Sequence, residues 1–129
     1  MKGKLLASLL LVLVWVLVLM GGQGGFAASP CTVTLDPGDD IQAAINAANP
    51  GDVICLNPGL YTPSATIVIN KPLTLQGPRA GVDPRPSFGS TRTPGDASGE
   101  AIIDGAPYNL YNIILVDADD VVIDGLEVR

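Results

Sequence analysis

The sequence predicts an all-β solenoid, in which short strands are laid down as successive coils and one helix closes the N-terminal end. Three observations carry this prediction. From Asp52 onward, apolar runs of three to five residues are separated by Asn, Pro, Gly, Thr and Asp. Similar segments recur about 20 residues apart: Ile103-Asp104-Gly105 and Ile123-Asp124-Gly125 are separated by 20, and Leu56-Asn57 and Leu75-Gln76 by 19. Ahead of them lies a single amphipathic segment that stops at Asn49-Pro50-Gly51. A period of this length with two or three short strands per turn marks a structure in which each coil stacks on the last. A sandwich of hairpins is the alternative, and it would place tight Asp-Gly turns between longer alternating strands. Here Asp-Gly falls at what read as corresponding points of successive repeats, which suits a recurring corner.

Residues 1–27 stand apart from the fold. Lys2 and Lys4 precede an apolar run from Leu5 to Met20 and then a Gly/Ala-rich segment, the layout of a secretory signal peptide. Cleavage after Ala27 places Gly25 and Ala27 at the two small-residue positions. An uncleaved membrane anchor is the alternative, although the run is short against the roughly 20 residues that span a bilayer. A lipid anchor on Cys31 is disfavoured by the Ala28-Ser29-Pro30 lead-in.

Residues 28–129 then form one small domain or part of one. Without Lys2 and Lys4, five of the seven basic residues remain against thirteen acidic ones, and histidine is absent. This balance disfavours nucleic acid and anionic membranes as partners. It also removes a histidine base and every histidine metal site. Cys31 and Cys55 are the two cysteines. In an exported chain they are expected to form a disulfide that staples the N-terminal strand to the first coil across the helix. A loop of that length is worth on the order of 3 kcal/mol on chain-entropy grounds. A pair of free thiols is the alternative; zinc would need two further ligands.

The elements follow in order. Thr32-Val33-Thr34-Leu35 alternates and is β-branched, so it predicts a short strand ending at Asp36-Pro37-Gly38. A helix over Asp40 to Ala48 follows, with Asp39 as N-cap, Gln42 as the reciprocal partner of a capping box, and Ile41, Ala44, Ile45 and Ala48 on one face. Strands are predicted at Val53 to Leu56, Ile67 to Ile69, Leu73 to Leu75, Ala101 to Ile103, Ile113 to Val116, Val121 to Ile123 and Leu126 to Val128. Asn57-Pro58-Gly59-Leu60-Tyr61 and Asn70-Lys71-Pro72 read as turns, with Tyr61 packed against the first corner. Residues 78–99 hold four prolines and four glycines, so they predict a long loop leaving one corner of the coil. That loop carries Arg79, Arg85 and Arg92, which could grip an anionic sugar or sulfate through bidentate hydrogen bonds or simply be solvated.

These residues resemble a family. The Ile-Gln-Ala-Ala-Ile-Asn-Ala-Ala helix, the Pro-Gly-Asp turn, Val-Ile-Cys-Leu-Asn-Pro-Gly-Leu-Tyr and Ile-Val-Ile-Asn-Lys-Pro-Leu-Thr-Leu-Gln-Gly look like the N-terminal end of right-handed parallel β-helix proteins of the pectate-lyase-like superfamily. The resemblance runs from about Thr32 to Gly77 and continues more loosely to Arg129. It implies a right-handed parallel β-helix with an N-terminal capping helix. As to function it spans pectate lyases, pectin methylesterases, polygalacturonases, other polysaccharide lyases, a periplasmic accessory protein of nitrous oxide reductase, and bacterial surface proteins.

The resemblance further implies that acids, bases and calcium ligands belong on middle coils, which this chain barely reaches. Asp117, Asp119, Asp120 and Asp124 form the one carboxylate cluster in the sequence. Asp117, Asp119 and Asp120 are candidate calcium ligands, against the plainer reading of a polar corner. Tyr108 and Tyr111 could stack on sugar, against edge packing. No catalytic constellation is expected in these residues. The chain stops at Val128-Arg129 within a predicted strand, after about three coils. A truncated β-helix is therefore expected, completed by missing C-terminal coils or by a partner covering the open end. The expected function is an exported, non-catalytic scaffold, secreted or at the cell surface, that meets extracellular polysaccharide or another surface component. The alternatives are the N-terminal part of a polysaccharide lyase, hydrolase or pectin esterase, and a periplasmic accessory protein of a metalloenzyme.

Overall fold

Parallel strands dominate the structure. The computed structural model describes residues 30–82 and 93–129. The leader at 1–27, and Arg85 and Arg92 of the long loop, lie outside the described residues. The order of elements is β1 (Val33–Leu35), α1 (Ile41–Ala47), β2 (Val53–Leu56), β3 (Gly59–Tyr61), β4 (Ile67–Ile69), β5 (Thr74–Gln76), β6 (Ala101–Ile103), a 3-10 turn (Ala106–Tyr108), β7 (Ile114–Val116), β8 (Val122–Asp124) and β9 (Leu126–Val128). The strands form three sheets, β1-β2-β5-β8, β3-β6-β9 and β4-β7. Every pairing is parallel. From β2 onward the chain visits the three sheets in rotation, so each strand lies beside the one three strands earlier. Among the described residues the fold is thus all-β with one short α-helix.

Strands buried on both faces read as continuous apolar runs, and β2 and β6 are buried along their whole length. Parallel pairing stacks like on like. Ile54 lies beside Leu75 and Leu75 beside Ile123; Tyr61 lies beside Ile103 and Ile103 beside Val128; Ile69 lies beside Val116. The buried members of these ladders, Ile54, Leu75, Tyr61, Ile103 and Ile69, converge with Leu35, Ile41, Ile45 and Leu73 into one core. Each fully buried Ile or Leu contributes roughly 1.5–3 kcal/mol through removal of apolar surface from water.

The helix sits over the upper end of this core, where Ile41 and Ile45 are buried. Its seven residues are too few to persist alone. Its ends are satisfied differently from the sequence expectation. Asp40, not Asp39, is the N-cap, and its Oδ1 accepts from Ala43 N at 3.1 Å. Asp39 serves the preceding turn, where its Oδ2 accepts from Asp36 N at 2.8 Å. Gln42 closes no capping box. Its Oε1 accepts from Val68 N at 2.6 Å and its Nε2 donates to Val68 O at 3.1 Å, so one carboxamide pairs with the upper edge of β4. At the other end, Lys71 Nζ donates to the carbonyls of Asn46 and Ala48 at 3.2 and 3.0 Å, placing a positive charge at the helix C-terminus, where it is favoured.

Two other expectations change. Gly59-Leu60-Tyr61 is a strand, not part of a turn, because it pairs with Ala101-Ile102-Ile103. The repeat is also registered differently. Cys55 lies opposite Gln76, an offset of 21 residues, and Asp124 lies opposite Gln76. Asp104-Gly105 therefore follows a different sheet from Asp124-Gly125, and their spacing of 20 is coincidental. Gln76-Gly77 and Asp124-Gly125 do correspond, and they stack at one corner, where Gly77 N donates to Asp124 O at 2.8 Å. A side chain on Gly77 would collide with the Gly125 carbonyl. Gly125 itself has φ +72° and faces the Ala80 backbone, so glycine is required there twice over.

The expected Cys31–Cys55 disulfide is present, with Cα atoms 5.7 Å apart. It ties the residues just before β1 to β2, reinforced by Thr32 N donating to Val53 O at 2.7 Å.

Two outcomes are expected. Replacing Gln42 with Ala strands the outward peptide groups of Val68, which costs about 1–3 kcal/mol, read as a lower urea midpoint and faster exchange of the Val68 amide. Reducing the disulfide, whose cysteines lie 24 residues apart, lowers stability by about 3 kcal/mol; an unchanged midpoint under reductant would contradict this.

Candidate functional site

A cavity of about 440 Å³ opens beside the upper end of the core. One wall is Gly38 to Gln42, the segment leading into α1; the other is β3 with the loop from Thr62 to Thr66. Local sequence explains the shape. Pro37-Gly38 turns the chain sharply after β1, with Gly38 at φ +104°, and Pro63-Ser64-Ala65 keeps β3 from running straight into β4. Tyr61, Ile41 and Ile67 supply an apolar base.

Polar groups rim this base. Asp40 spends one oxygen on its cap and Asp39 spends one on Asp36 N. The second oxygen of each has no hydrogen-bond partner among the described residues. Thr66 Oγ1 donates to Asn112 O at 2.6 Å, while Thr62 and Ser64 also line the space. Among the described residues no lysine or arginine does so. The cavity can therefore offer acceptors and an apolar seat, and it favours a ligand that brings donors or positive charge.

Tyr61 ties the cavity to the core. It is only 2% exposed, and its hydroxyl shares its proton between the Leu35 and Asn57 carbonyls, each 2.9 Å away. Burial, with the negative charges of Asp36 and Asp39 nearby, pushes its pKa up to about 12. The position at the first corner agrees with the sequence expectation.

The residues singled out from sequence do not assemble here. Asp117, Asp119 and Asp120 are exposed, and with Asp124 they form no group able to hold a metal ion among the described residues. Asp120 adopts φ +54° in a bend and Asp117 N donates to Ile69 O, the geometry of a corner. Asp124 lies within β8 and its Oδ2 accepts from Gly81 N at 2.8 Å. Arg79 is half-buried, its backbone N donating to Gly125 O and its guanidinium close to Gly99. Tyr108 and Tyr111 are exposed, the latter fully, so edge packing does not hold for them.

Asp104 is a further charged group at a corner. The Ala106 N–H and then Arg129, whose Nε lies 3.1 Å from its Oδ2, hold its carboxyl below the usual range. What sequence reasoning missed is the pairing of Asp39 and Asp40 with β3 around one cavity. The available signal was Gly-Leu-Tyr, whose apolar pair is long enough for a three-residue strand but was absorbed into a turn.

Comparison with protein-family models, with curated proteins and with solved structures gives no match. The fold and the cavity define the class: a disulfide-stapled all-β protein of parallel sheets, with an acidic cavity at its helix-covered end. Among the described residues no helix is long and apolar enough to cross a membrane.

Tyr61 generates a pH prediction. Its folded pKa, about 12, stands above the unfolded value of 10.0. The folded state therefore keeps its proton longer, and stability present below pH 10 falls as pH rises toward 12, by on the order of 2 kcal/mol. Urea midpoints measured across this range should decline more steeply for the native chain than for Tyr61→Phe; equal slopes would contradict the assignment.

Proposed function

We propose that this chain forms the N-terminal cap and first coils of a right-handed parallel β-helix, and that it is an exported, non-catalytic scaffold for contact with extracellular carbohydrate or another cell-surface component. The observation that carries this reading is the rotation of β2 to β9 through three parallel sheets, each strand in register with the one three strands before it. A chain that visits three sheets in turn and returns beside itself winds as a coil, and parallel crossovers are right-handed in nearly all proteins. Export is supported by the disulfide, a bond that persists in oxidising compartments. Carbohydrate contact is supported by Tyr108 and Tyr111, two exposed aromatics three residues apart, since exposed rings with a polar tip suit a half-wet interface.

A second reading has its own observation. The lower edges of β7, β8 and β9 have no neighbouring strand among the described residues, and Leu115, Val116, Val122, Ile123 and Val128 are exposed there. Further coils stacked on these edges would cover them, and a polysaccharide lyase, hydrolase or pectin esterase would carry its active site on such coils.

The test is a titration of the exported chain with oligogalacturonate and with neutral glucans, followed by amide shifts. Saturable shifts around Tyr108 and Tyr111 that vanish in a Tyr108→Ala/Tyr111→Ala variant are expected. Absence of shifts with every saccharide would remove the carbohydrate reading. Bond cleavage would replace the scaffold with the enzyme.

A further inference from the structure

We propose that the cavity beside β3 is a peptide-binding site, in which one residue of an extended, positively charged segment of another polypeptide pairs with the open edge of β3 at Leu60. The proposal is independent of the carbohydrate reading and concerns the opposite chemistry, recognition of peptide backbone.

Along a strand, alternate residues direct their N–H and C=O to opposite sides. In β4, Ile67 N donates to Ile113 O at 2.9 Å and Ile69 O accepts from Asp117 N at 2.8 Å, so these residues face β7. Val68 faces the other way, and Gln42 takes both of its groups. In β3 the same geometry recurs. Gly59 N donates to Glu100 O and Tyr61 O accepts from Asp104 N, each at 2.8 Å, so these residues face β6. Leu60 must face the other way. Among the described residues β3 has no strand on that side, and neither Leu60 N–H nor Leu60 C=O has a partner. Leu60 is also a wall of the cavity. The molecule thus contains one edge of this kind filled by its own side chain and a second left open beside a cavity.

The open edge selects its complement. Leu60 offers one donor and one acceptor pointing the same way. The two peptide units flanking a single residue of an extended chain supply the matching acceptor and donor, which is the geometry of strand addition. A trans secondary amide, such as an acetamido group on a sugar, directs its N–H and C=O in opposite directions and can satisfy only one of the two. Charge then narrows the choice. Among the described residues, Asp39 and Asp40 line the same cavity, each with one carboxylate oxygen available, and no basic side chain does. A lysine or arginine adjacent to the pairing residue is therefore favoured. The segment is short: Pro37 packs directly on Gly59, where any side chain would collide with its ring, and so closes one end of the edge.

The test uses isotope-labelled exported chain titrated with the capped tripeptide acetyl-Lys-Val-Lys-amide. The Leu60 amide is expected to shift saturably with a dissociation constant of roughly millimolar order, about 4 kcal/mol, while the Val68 amide stays in place. Acetyl-Glu-Val-Glu-amide, and the lysine peptide N-methylated at its third residue, should bind about tenfold more weakly, a difference of about 1.4 kcal/mol. Asp39→Asn retains the acceptor for Asp36 N, and Asp40→Ser retains a helix cap; together they should abolish the preference for the basic peptide. No saturable shift at Leu60 up to about 10 mM peptide would overturn the proposal. Equal binding of the acidic peptide, or shifts confined to Tyr108 and Tyr111, would overturn it as well.

Discussion

The first strand of any parallel sheet has one side without a neighbour, and the upper end of this protein is organised around that constraint. Gln42 meets it for β4 by presenting a carboxamide to Val68 in the manner of a missing strand. Because Gln42 lies between Ile41 and Ala43 on α1, this pairing also sets the helix down with Ile41 and Ile45 over the apolar interior. The helix could not hold that position through its own propensity, since seven residues are marginal in water. Lys71, from the turn after β4, completes the arrangement at the helix C-terminus. Helix and strand therefore stabilise each other, and the helix depends on the strand for its position.

The same end is tied a second time through backbone and side-chain polar groups. Asn57 Nδ2 donates to Asp36 Oδ1 at 2.7 Å and the Tyr61 hydroxyl reaches Leu35 O, so the turn after β1 is held to the turn after β2. The disulfide and Thr32 act at the start of β1, with Thr32 Oγ1 accepting from Val53 N at 3.1 Å. A buried tyrosine hydroxyl without these acceptors would be costly; with them it closes the floor of the acidic cavity. Structure and candidate site are in this sense one device, because the residues that fix the turn into α1 are also those that line the cavity wall.

Burial declines from the helix-covered end to the other. Ile45, Ile54, Ile69 and Leu75 are fully buried, whereas β8 is exposed along its length. The apolar ladders that begin at Ile54, Tyr61 and Ile69 continue into Ile123, Val128 and Val116, which are exposed. Local stability follows apolar contact, so opening should begin at β8 and β9 and reach β2 last. An exposed parallel edge with apolar side chains invites strand pairing, which is why partners and further coils enter the proposed function at this end and peptide recognition at the other.

The sequence by itself determined the class and much of the detail. Apolar runs bounded by Gly, Pro, Asn and Asp are local signals, so most strands were legible to within a residue, as were the helix α1, the cysteine pair and the buried Tyr61. The repeat was legible only in part. β2 and β5 pair at an offset of 21 residues, but the pairings that span the long loop between β5 and β6 are offset by 42, 47 and 48. No single period therefore runs through the sequence, and a chance spacing of two Asp-Gly pairs looks more regular than the true pairings. What only the tertiary structure decided is pairing at a distance. That Gln42 serves Val68, that Gly59-Leu60-Tyr61 finds Ala101-Ile102-Ile103, and that Asp39 and Asp40 share a cavity with Leu60 depend on residues brought together from up to 42 positions apart. Hydrogen bonds between remote groups leave no local periodicity in a sequence, and so a capping box and a turn are what the local residues suggest until the strands are paired.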